Sequence, residues 1–131
     1  MRDNMIILDS NIWIAFFNTN DTQHKKAEKV LENADGKIII TEYIILEVSS
    51  VLLFKVNKNV ANKFIEIILN NKDVEILLSD EFFFKGTLDC FQNEKTGKLS
   101  FIDASLLYLS EIHRVFTFDK KLKKEIRKMR E

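Results

Sequence analysis

Four short, largely apolar runs are spaced along the chain, and segments long enough for helices separate them. Runs of this kind are typical of strands buried on both faces of a parallel sheet. Parallel neighbours require crossover connections, which are almost always right-handed. The pattern therefore predicts an α/β fold with a mainly parallel sheet, whose strands are Ile6–Leu8, Lys37–Ile40, Val74–Leu78 and Val115–Phe118.

The segments between the runs predict helices through their apolar spacing and their capping residues. The third helix, capped by Thr41, is apolar almost all the way round, so we expect its own fold or a partner to bury it. The fifth helix starts at Ser79 or Asp80, and the fourth ends near Asn70 after a turn flanked by Asn57 and Asn59. The other predicted helices are Ile12–Phe17 (capped by Ser10 or Asn11), Thr22–Asn33, Thr41–Lys55, Ser100–Glu111 and Lys120–Arg130.

Composition narrows the function classes less than the pattern does. The 131 residues, 46% of them hydrophobic, suit one domain, 1–131, and the 20 basic and 20 acidic residues argue neither for nor against a nucleic-acid partner. With Cys90 as its one cysteine and two histidines, the chain offers no disulfide and no zinc site of usual spacing. Because no apolar segment suits a signal peptide or a membrane span, we expect a soluble, unprocessed, cytoplasmic protein.

Four acidic residues follow or interrupt apolar stretches, and each also has a structural explanation. Asp9 and Asp119 stand where strands end, where either can cap the next helix. Asp103 forms a capping box with Ser100. Glu47 lies well inside the third helix, where we expect burial, so its carboxylate requires a cation, a hydrogen-bond network or a raised pKa. Its structural explanation is a salt bridge to a Lys or Arg from elsewhere in the chain. Four acids recurring in this way favour one shared site at the carboxyl edge of the sheet.

The chemistry of that site follows from its donor atoms. Carboxylates without histidines or thiols form a hard oxygen site, which suits Mg²⁺ or Mn²⁺ and not zinc or copper. Such ions engage phosphates, which points to phosphoryl chemistry. The chain has no G-x-S-x-G motif for a serine hydrolase. A ribonuclease built on His24 and His113 is possible by composition, but neither histidine follows a strand.

These motifs match a known family, since the chain resembles the PIN-domain ribonucleases and is similar to the VapC toxins of prokaryotic toxin-antitoxin pairs. The resemblance covers the whole chain and rests on the order and spacing of its motifs more than on any one of them. The matching motifs are ILDSNIWI around Asp9, TEYIILEVSSVL around Glu47, LSFIDASLLYLS around Asp103 and TFDKKL around Asp119.

The resemblance implies a three-layer α/β/α sandwich with four or five strands and an activity that cuts single-stranded RNA with metal-activated water. Asp9 and Asp103 would be the principal Mg²⁺ or Mn²⁺ ligands, and Glu47 and Asp119 would complete the site partly through waters. Many relatives carry a further short strand after the last acid, whereas this chain continues in a basic helix. The residues that match supporting polar positions of the family are Ser10, Asn11 and Thr117.

The resemblance also implies partners. In the family, apolar helical surface serves a homodimer and a groove for an antitoxin, whose basic side chain enters the acidic site. Here that surface is expected on the third and fourth helices, at Leu52, Leu53, Phe54, Val60, Phe64, Ile67 and Ile68. The basic residues available to RNA phosphates are Lys25, Lys26, Lys95, Lys98 and the seven between Lys120 and Arg130, although solvated surface charge explains each one equally well.

Other classes fit less of the sequence. A receiver-type signalling domain needs paired acids after the first strand, and a haloacid-dehalogenase phosphatase needs a second Asp where this chain has Asn11. Two alternatives stay within the family: a housekeeping nuclease that processes rRNA or tRNA, and a non-catalytic PIN-like RNA-binding module. A non-catalytic module would be expected to have lost acids, and all four are present.

Overall fold

The computed structural model describes residues 5–129, in which four strands form one fully parallel sheet of order β3-β2-β1-β4. The strands are β1 (Ile6–Leu8), β2 (Ile38–Thr41), β3 (Val74–Leu77) and β4 (Arg114–Phe116). The helices are α1 (Ser10–Phe17), α2 (His24–Glu32), α3 (Glu42–Lys55), α4 (Lys58–Asn70), α5 (Glu81–Asn93), α6 (Phe101–Leu109) and α7 (Lys120–Met129).

The predicted α/β sandwich is confirmed, and β1 shows why it has three layers. Ile6, Ile7 and Leu8 are all at most 5% exposed. Because successive side chains of a strand point to opposite faces, helices must cover both faces of the sheet. On one face α2 lines a groove with Ile6 and Phe116, and on the other α7 lines one with Val115.

Side-chain caps fix most helix starts. Thr41 accepts from the Ile44 N–H, as predicted, and Asn57 and Asp80 cap α4 and α5 in the same way. The expectation that Ser10 or Asn11 caps α1 is wrong, because Asp9 is the cap and its side chain accepts from the Ser10 N–H.

Helix α2 begins two residues later than predicted. Asp21 accepts the Gln23 N–H on its side chain and the His24 N–H on its carbonyl, so a turn occupies the place where the Thr22 cap was expected. The predicted bounds of the other elements differ from the observed ones by one or two residues at their ends, where helices and strands fray.

The α3–α4 pair contains less free apolar surface than the sequence suggested. Leu52, Phe64 and Ile68 are at most 3% exposed and belong to the core, so the expectation that they lie on a surface patch is wrong. Other apolar side chains of the pair do face solvent: Phe54 is 83% exposed, and Leu46, which was not expected there, is 64% exposed. The exposed apolar surface therefore differs from the predicted one but still includes both helices, since Leu69 of α4 is 68% exposed.

Among residues 5–129, no helix is both long enough and apolar enough to cross a membrane. The last of the seven predicted basic positions, Arg130, lies outside the described residues.

Candidate active site

Asp9 lies at the carboxyl edge of the sheet, directly after β1. Its backbone N–H donates to the Phe116 carbonyl at 2.9 Å, which ties it to β4. One carboxylate oxygen accepts from the Ser10 N–H at 2.6 Å and from the Ser10 hydroxyl at 3.3 Å. The residue is only 3% exposed, so its carboxylate is held in one orientation.

A polar network connects the other oxygen of Asp9 to the end of β4. Thr117 donates its hydroxyl hydrogen to this oxygen at 2.7 Å, and the Asn11 side-chain amide donates to Thr117 at 3.1 Å and to Asp9 at 3.4 Å. The side-chain oxygen Oδ1 of Asn11 accepts from the Phe118 N–H at 3.2 Å, and the Thr117 hydroxyl accepts from the Asp119 N–H at 3.0 Å. The network thus positions the first and the last of the four acids relative to each other.

The electrostatic environment of Asp9 raises its pKa to about 6, from an ordinary value of 3.8. Burial is the main cause, and the negative charge of Asp103 raises the pKa further. The hydrogen bonds from Thr117 and Ser10 oppose these effects by stabilising the ionised form. Asp103 is therefore close enough to Asp9 for the two carboxylates to repel each other.

Asp103 stands in the first turn of α6 and forms the predicted capping box. Its Oδ2 accepts from the Ser100 N–H at 2.9 Å, and the Ser100 hydroxyl accepts from the Asp103 N–H at 3.0 Å. The other oxygen, Oδ1, has no hydrogen-bond donor among residues 5–129. The capping role therefore occupies one oxygen and leaves the other available for a ligand.

Glu47 departs from the expectation of a buried carboxylate. It is half-buried and lines an open, mostly apolar groove of about 420 Å³ between α3 and the start of α6. Within the described part of the chain it makes neither a hydrogen bond nor a salt bridge, so the salt-bridge explanation also fails. Phe101 and Ile102, which immediately precede Asp103, line the same groove. Glu47 therefore faces the first turn of α6, which contains Asp103.

Asp119 is half-buried and follows β4 at the start of α7. Its Oδ1 accepts from the Lys121 N–H at 2.9 Å, and its carbonyl accepts from the Lys123 N–H at 3.0 Å, so it performs the predicted capping role. Asp9, Asp103 and Asp119 thus all stand at helix N-termini, whose partial positive charge stabilises carboxylates and attracts phosphates.

The donor set was tested for a metal ion. Over residues 5–129, no three His, Cys, Asp or Glu side chains lie close enough together to hold one. Mg²⁺, however, usually takes only one or two carboxylates and keeps several waters. The pair of Asp9 and Asp103 fits that requirement, because the charge of a bound divalent cation would offset the repulsion between the two carboxylates. That Glu47 and Asp119 complete the same site stays a prediction.

Sequence reasoning overlooked a fifth acid beside this edge. Glu42, the first residue of α3, accepts from the Ser79 N–H, and the Tyr43 hydroxyl hydrogen-bonds the Ser79 side chain. These contacts join the ends of β2 and β3, which gives Glu42 a structural role. Its position directly after Thr41, at a strand end, was the signal that could have identified it.

Comparison with known proteins places this geometry in a family. The model of the PIN domain matches residues 6–126. The solved structure of VapC20 from Mycobacterium tuberculosis, titled a sarcin-ricin loop cleaving toxin, is similar with a TM-score of 0.83 and 17% identity over 91% of this chain and 93% of that chain. VapBC2 from Rickettsia felis, bound to a DNA fragment from its promoter, is similar with a TM-score of 0.56 and 13% identity over 88% of this chain and 99% of that chain.

A search of curated proteins found no significant sequence match. At these identities the two structures show a shared fold, and the family model, which spans most of the chain, shows the family. The resemblance inferred from the four acidic motifs is confirmed, and this chain belongs to the PIN-domain family.

Proposed function

We propose that this chain is a metal-dependent endoribonuclease that cleaves single-stranded RNA, and that it is the toxin of a VapBC-type toxin-antitoxin pair. The observation that carries the activity is the buried, hydrogen-bonded Asp9 beside Asp103 at the carboxyl edge of the sheet. The likeness to VapC20, a toxin titled as cleaving the sarcin-ricin loop, supports the toxin assignment.

Asp9 and Asp103 would hold the Mg²⁺ or Mn²⁺ ion, with Glu47 and Asp119 as the further acids of the site. When bound, the ion supplies an activated water for attack on the phosphodiester and neutralises charge on the phosphate. Thr117, Asn11 and Ser10 orient Asp9 through the hydrogen bonds described above, so that its oxygens do not have to reorganise during the reaction.

The described side chains favour this chemistry over the two-histidine alternative. His24 is hydrogen-bonded to the Ala15 carbonyl at 2.8 Å, a contact inside the α1–α2 layer. His113 precedes β4 and therefore stands at the amino edge of the sheet, opposite Asp9. Ser10 is also disfavoured as a nucleophile, because it is only 8% exposed and its hydroxyl contacts a carboxylate and not a histidine.

The activity is tested with an end-labelled single-stranded RNA. We expect cleavage with Mg²⁺ or Mn²⁺, none in EDTA, and a loss of at least about 100-fold in Asp9→Asn and in Asp103→Asn, because each removes a charged ligand. Asp80→Asn is the matched control, since Asp80 also caps a helix but lies at α5, and Asn is an equally good cap. Activity that survives chelation, or an Asp9→Asn protein as active as the parent, would refute the mechanism.

Thermal unfolding gives a readout that does not depend on activity. A metal that binds the folded chain but not the unfolded one raises its melting temperature, and the increase grows with the logarithm of the metal concentration once that concentration exceeds Kd. We expect Mg²⁺ to stabilise the parent and Asp80→Asn, and to leave Asp103→Asn unchanged. Equal stabilisation of all three proteins would place the ion elsewhere.

The toxin role predicts a protein partner. We infer a cognate antitoxin that places apolar side chains on the α3–α4 surface, where Leu46 and Phe54 are exposed, and an Arg or Lys near Asp9 and Asp103. Expression of this chain in its native host should arrest growth, and co-expression of the adjacent small gene should restore it. Cleavage of RNA without any toxicity would favour a housekeeping processing nuclease.

A further inference from the structure

We propose that single-stranded RNA leaves the active site along a basic groove between α2 and β4, where Lys26, Lys29 and Arg114 hold its phosphates. This inference rests on the proposed nuclease function, and it identifies the surface on which the substrate lies beyond the cleavage site. The groove has a volume of about 360 Å³ and lies on the face of the sheet that α2 covers; its lining residues include Ile6, Val30, Asn33, Asp35 and Phe116.

The groove begins beside the catalytic edge. The Lys26 ammonium lies over the Phe118 ring, 4.9 Å from its centroid, and Phe118 immediately precedes Asp119. The lining also includes Phe116 and Arg114, the last and first residues of β4, which lie two residues or about 7 Å of extended chain apart. The proposed path of the RNA therefore runs from the segment that ends at Asp119, past Lys26, into the groove.

Charge identifies nucleic acid as the occupant. Three cations line the groove and Asp35 is its only carboxylate, and no salt bridge within the described residues engages these cations. A comparable groove, formed by α4 and the turn before β3, has balanced charge. Its lining contains two lysines, Lys63 and Lys72, and two acids, Glu66 and Asp73. A polyanion is thus attracted to the α2–β4 groove and not to the other one.

The aromatic residues identify a single strand and not a duplex. The Arg114 guanidinium lies 5.2 Å from the centroid of the Phe116 ring, so that a cation and a ring stand together at the groove, and Lys26 with Phe118 repeats this pairing at its other end. Unpaired bases stack on aromatic rings and on guanidinium planes, whereas bases inside a duplex cannot reach them. The groove volume is also within the range of small-ligand sites, roughly 300–1,000 Å³.

Single-turnover cleavage tests the proposal with the variants Lys29→Gln and Arg114→Gln. We expect the RNA concentration at half-saturation to rise about fivefold for each, the loss that counterion release gives for one phosphate contact at about 0.1 M salt, while the rate at saturating RNA stays within about twofold. In a plot of the logarithm of the half-saturating RNA concentration against the logarithm of the salt concentration, the slope should fall by about 0.7 for each contact that is removed.

Two control variants separate the groove from general surface charge. Lys72→Gln removes the same charge at the opposite sheet edge, and Lys123→Gln removes it beside Val115, on the other face of the same strand. Both should keep the half-saturation of the parent. The proposal is overturned if the groove variants match the parent, or if Lys123→Gln shows the larger loss, which would place the RNA against α7.

A binding measurement distinguishes failure of the groove from failure of the proposed function. Fluorescence anisotropy with a labelled oligoribonucleotide in EDTA reports binding without cleavage, and the same weakening is expected there for Lys29→Gln and Arg114→Gln. A parent that binds RNA in this way but never cleaves it would refute the nuclease function and leave the groove intact. If the groove variants keep their RNA affinity but lose the antitoxin on co-purification, the groove is a protein-binding surface and the proposal fails.

Discussion

At the scale of single residues, Asp9 holds its proton more tightly in the folded chain than in the unfolded one. Its pKa is about 6 when folded and close to 3.8 when unfolded, and burial is the principal cause. Between these two values the folded state binds more protons, so the stability of the protein falls as the pH rises through this window. The difference of about two pKa units corresponds to about 3 kcal/mol at neutral pH, as an order of magnitude.

This linkage gives a prediction for Asp9→Asn in the presence of EDTA. The neutral side chain removes the cost of ionisation but also weakens the hydrogen bonds that Thr117 and Ser10 donate to the carboxylate. We expect the free energy of unfolding of the variant, relative to the parent, to increase by about 2–3 kcal/mol between pH 4 and pH 7. Urea unfolding at both pH values measures this change.

The difference between the two proteins is the quantity to compare, because the other carboxylates titrate in both of them. Asp80→Asn serves again as the control, since its side chain also caps a helix but lies outside the site. A relative stability of Asp9→Asn that is constant from pH 4 to pH 7 would mean that Asp9 titrates normally.

At the scale of elements, the contact between α5 and α6 depends on Gly86. A Cβ atom at this position would lie 2.2 Å from the Tyr108 ring, far inside van der Waals contact. The same ring also stacks on Phe83 of α5, with centroids 6.2 Å apart and planes 17° apart. The absence of a side chain at Gly86 thus sets how closely α6, which carries Asp103, approaches α5.

Gly86→Ala should therefore destabilise the protein by about 1–2 kcal/mol, because overpacking outweighs the roughly 1 kcal/mol that alanine gains over glycine in a helix. In a Tyr108→Ala background the same substitution should instead stabilise the chain by up to about 1 kcal/mol. Unfolding of the four proteins in a double-mutant cycle measures the coupling. If Gly86→Ala changes the free energy of unfolding in the same direction in both backgrounds, the Tyr108 ring does not limit how closely α5 and α6 approach.

At the scale of the whole molecule, the prediction of a homodimer rests on exposed apolar side chains. Phe54 on α3 and Phe82 on α5 are 83% and 81% exposed, and large exposed apolar surface is typical of interfaces. We predict a homodimer at micromolar concentration. Because Phe54 contributes little to the core, Phe54→Ser should shift the protein toward monomer with little change in monomer stability.

Light scattering measures the association, and Ile112→Ser is the matched control. Ile112 is also exposed, at 52%, but it lies just before β4. β4 and β3 are the two outer strands of the sheet, on opposite sides of it. We expect its substitution to leave the dimer intact. A parent that is monomeric at every concentration tested would refute the prediction, and equal effects of both substitutions would place the interface elsewhere.

The sequence by itself determined the elements and the candidate acids. Buried strands need continuous apolar residues and helix starts need side-chain acceptors, so the runs and caps such as Thr41 and Ser100 are local properties that spacing reveals. The order of the four acidic motifs was enough to indicate the family. The strands and the caps depend only on residues close together in the chain, and the motif order depends only on the sequence itself.

The tertiary structure decided which of these residues meet. The bond between Thr117 and Asp9 joins positions 108 residues apart, and the raised pKa of Asp9 follows from burial and from Asp103, neither of which is a property of its neighbours in sequence. The partial exposure of Glu47 and the α2–β4 groove have the same origin. Strand order and helix packing set these distances, and electrostatic interactions depend on distance in space and not on separation along the chain.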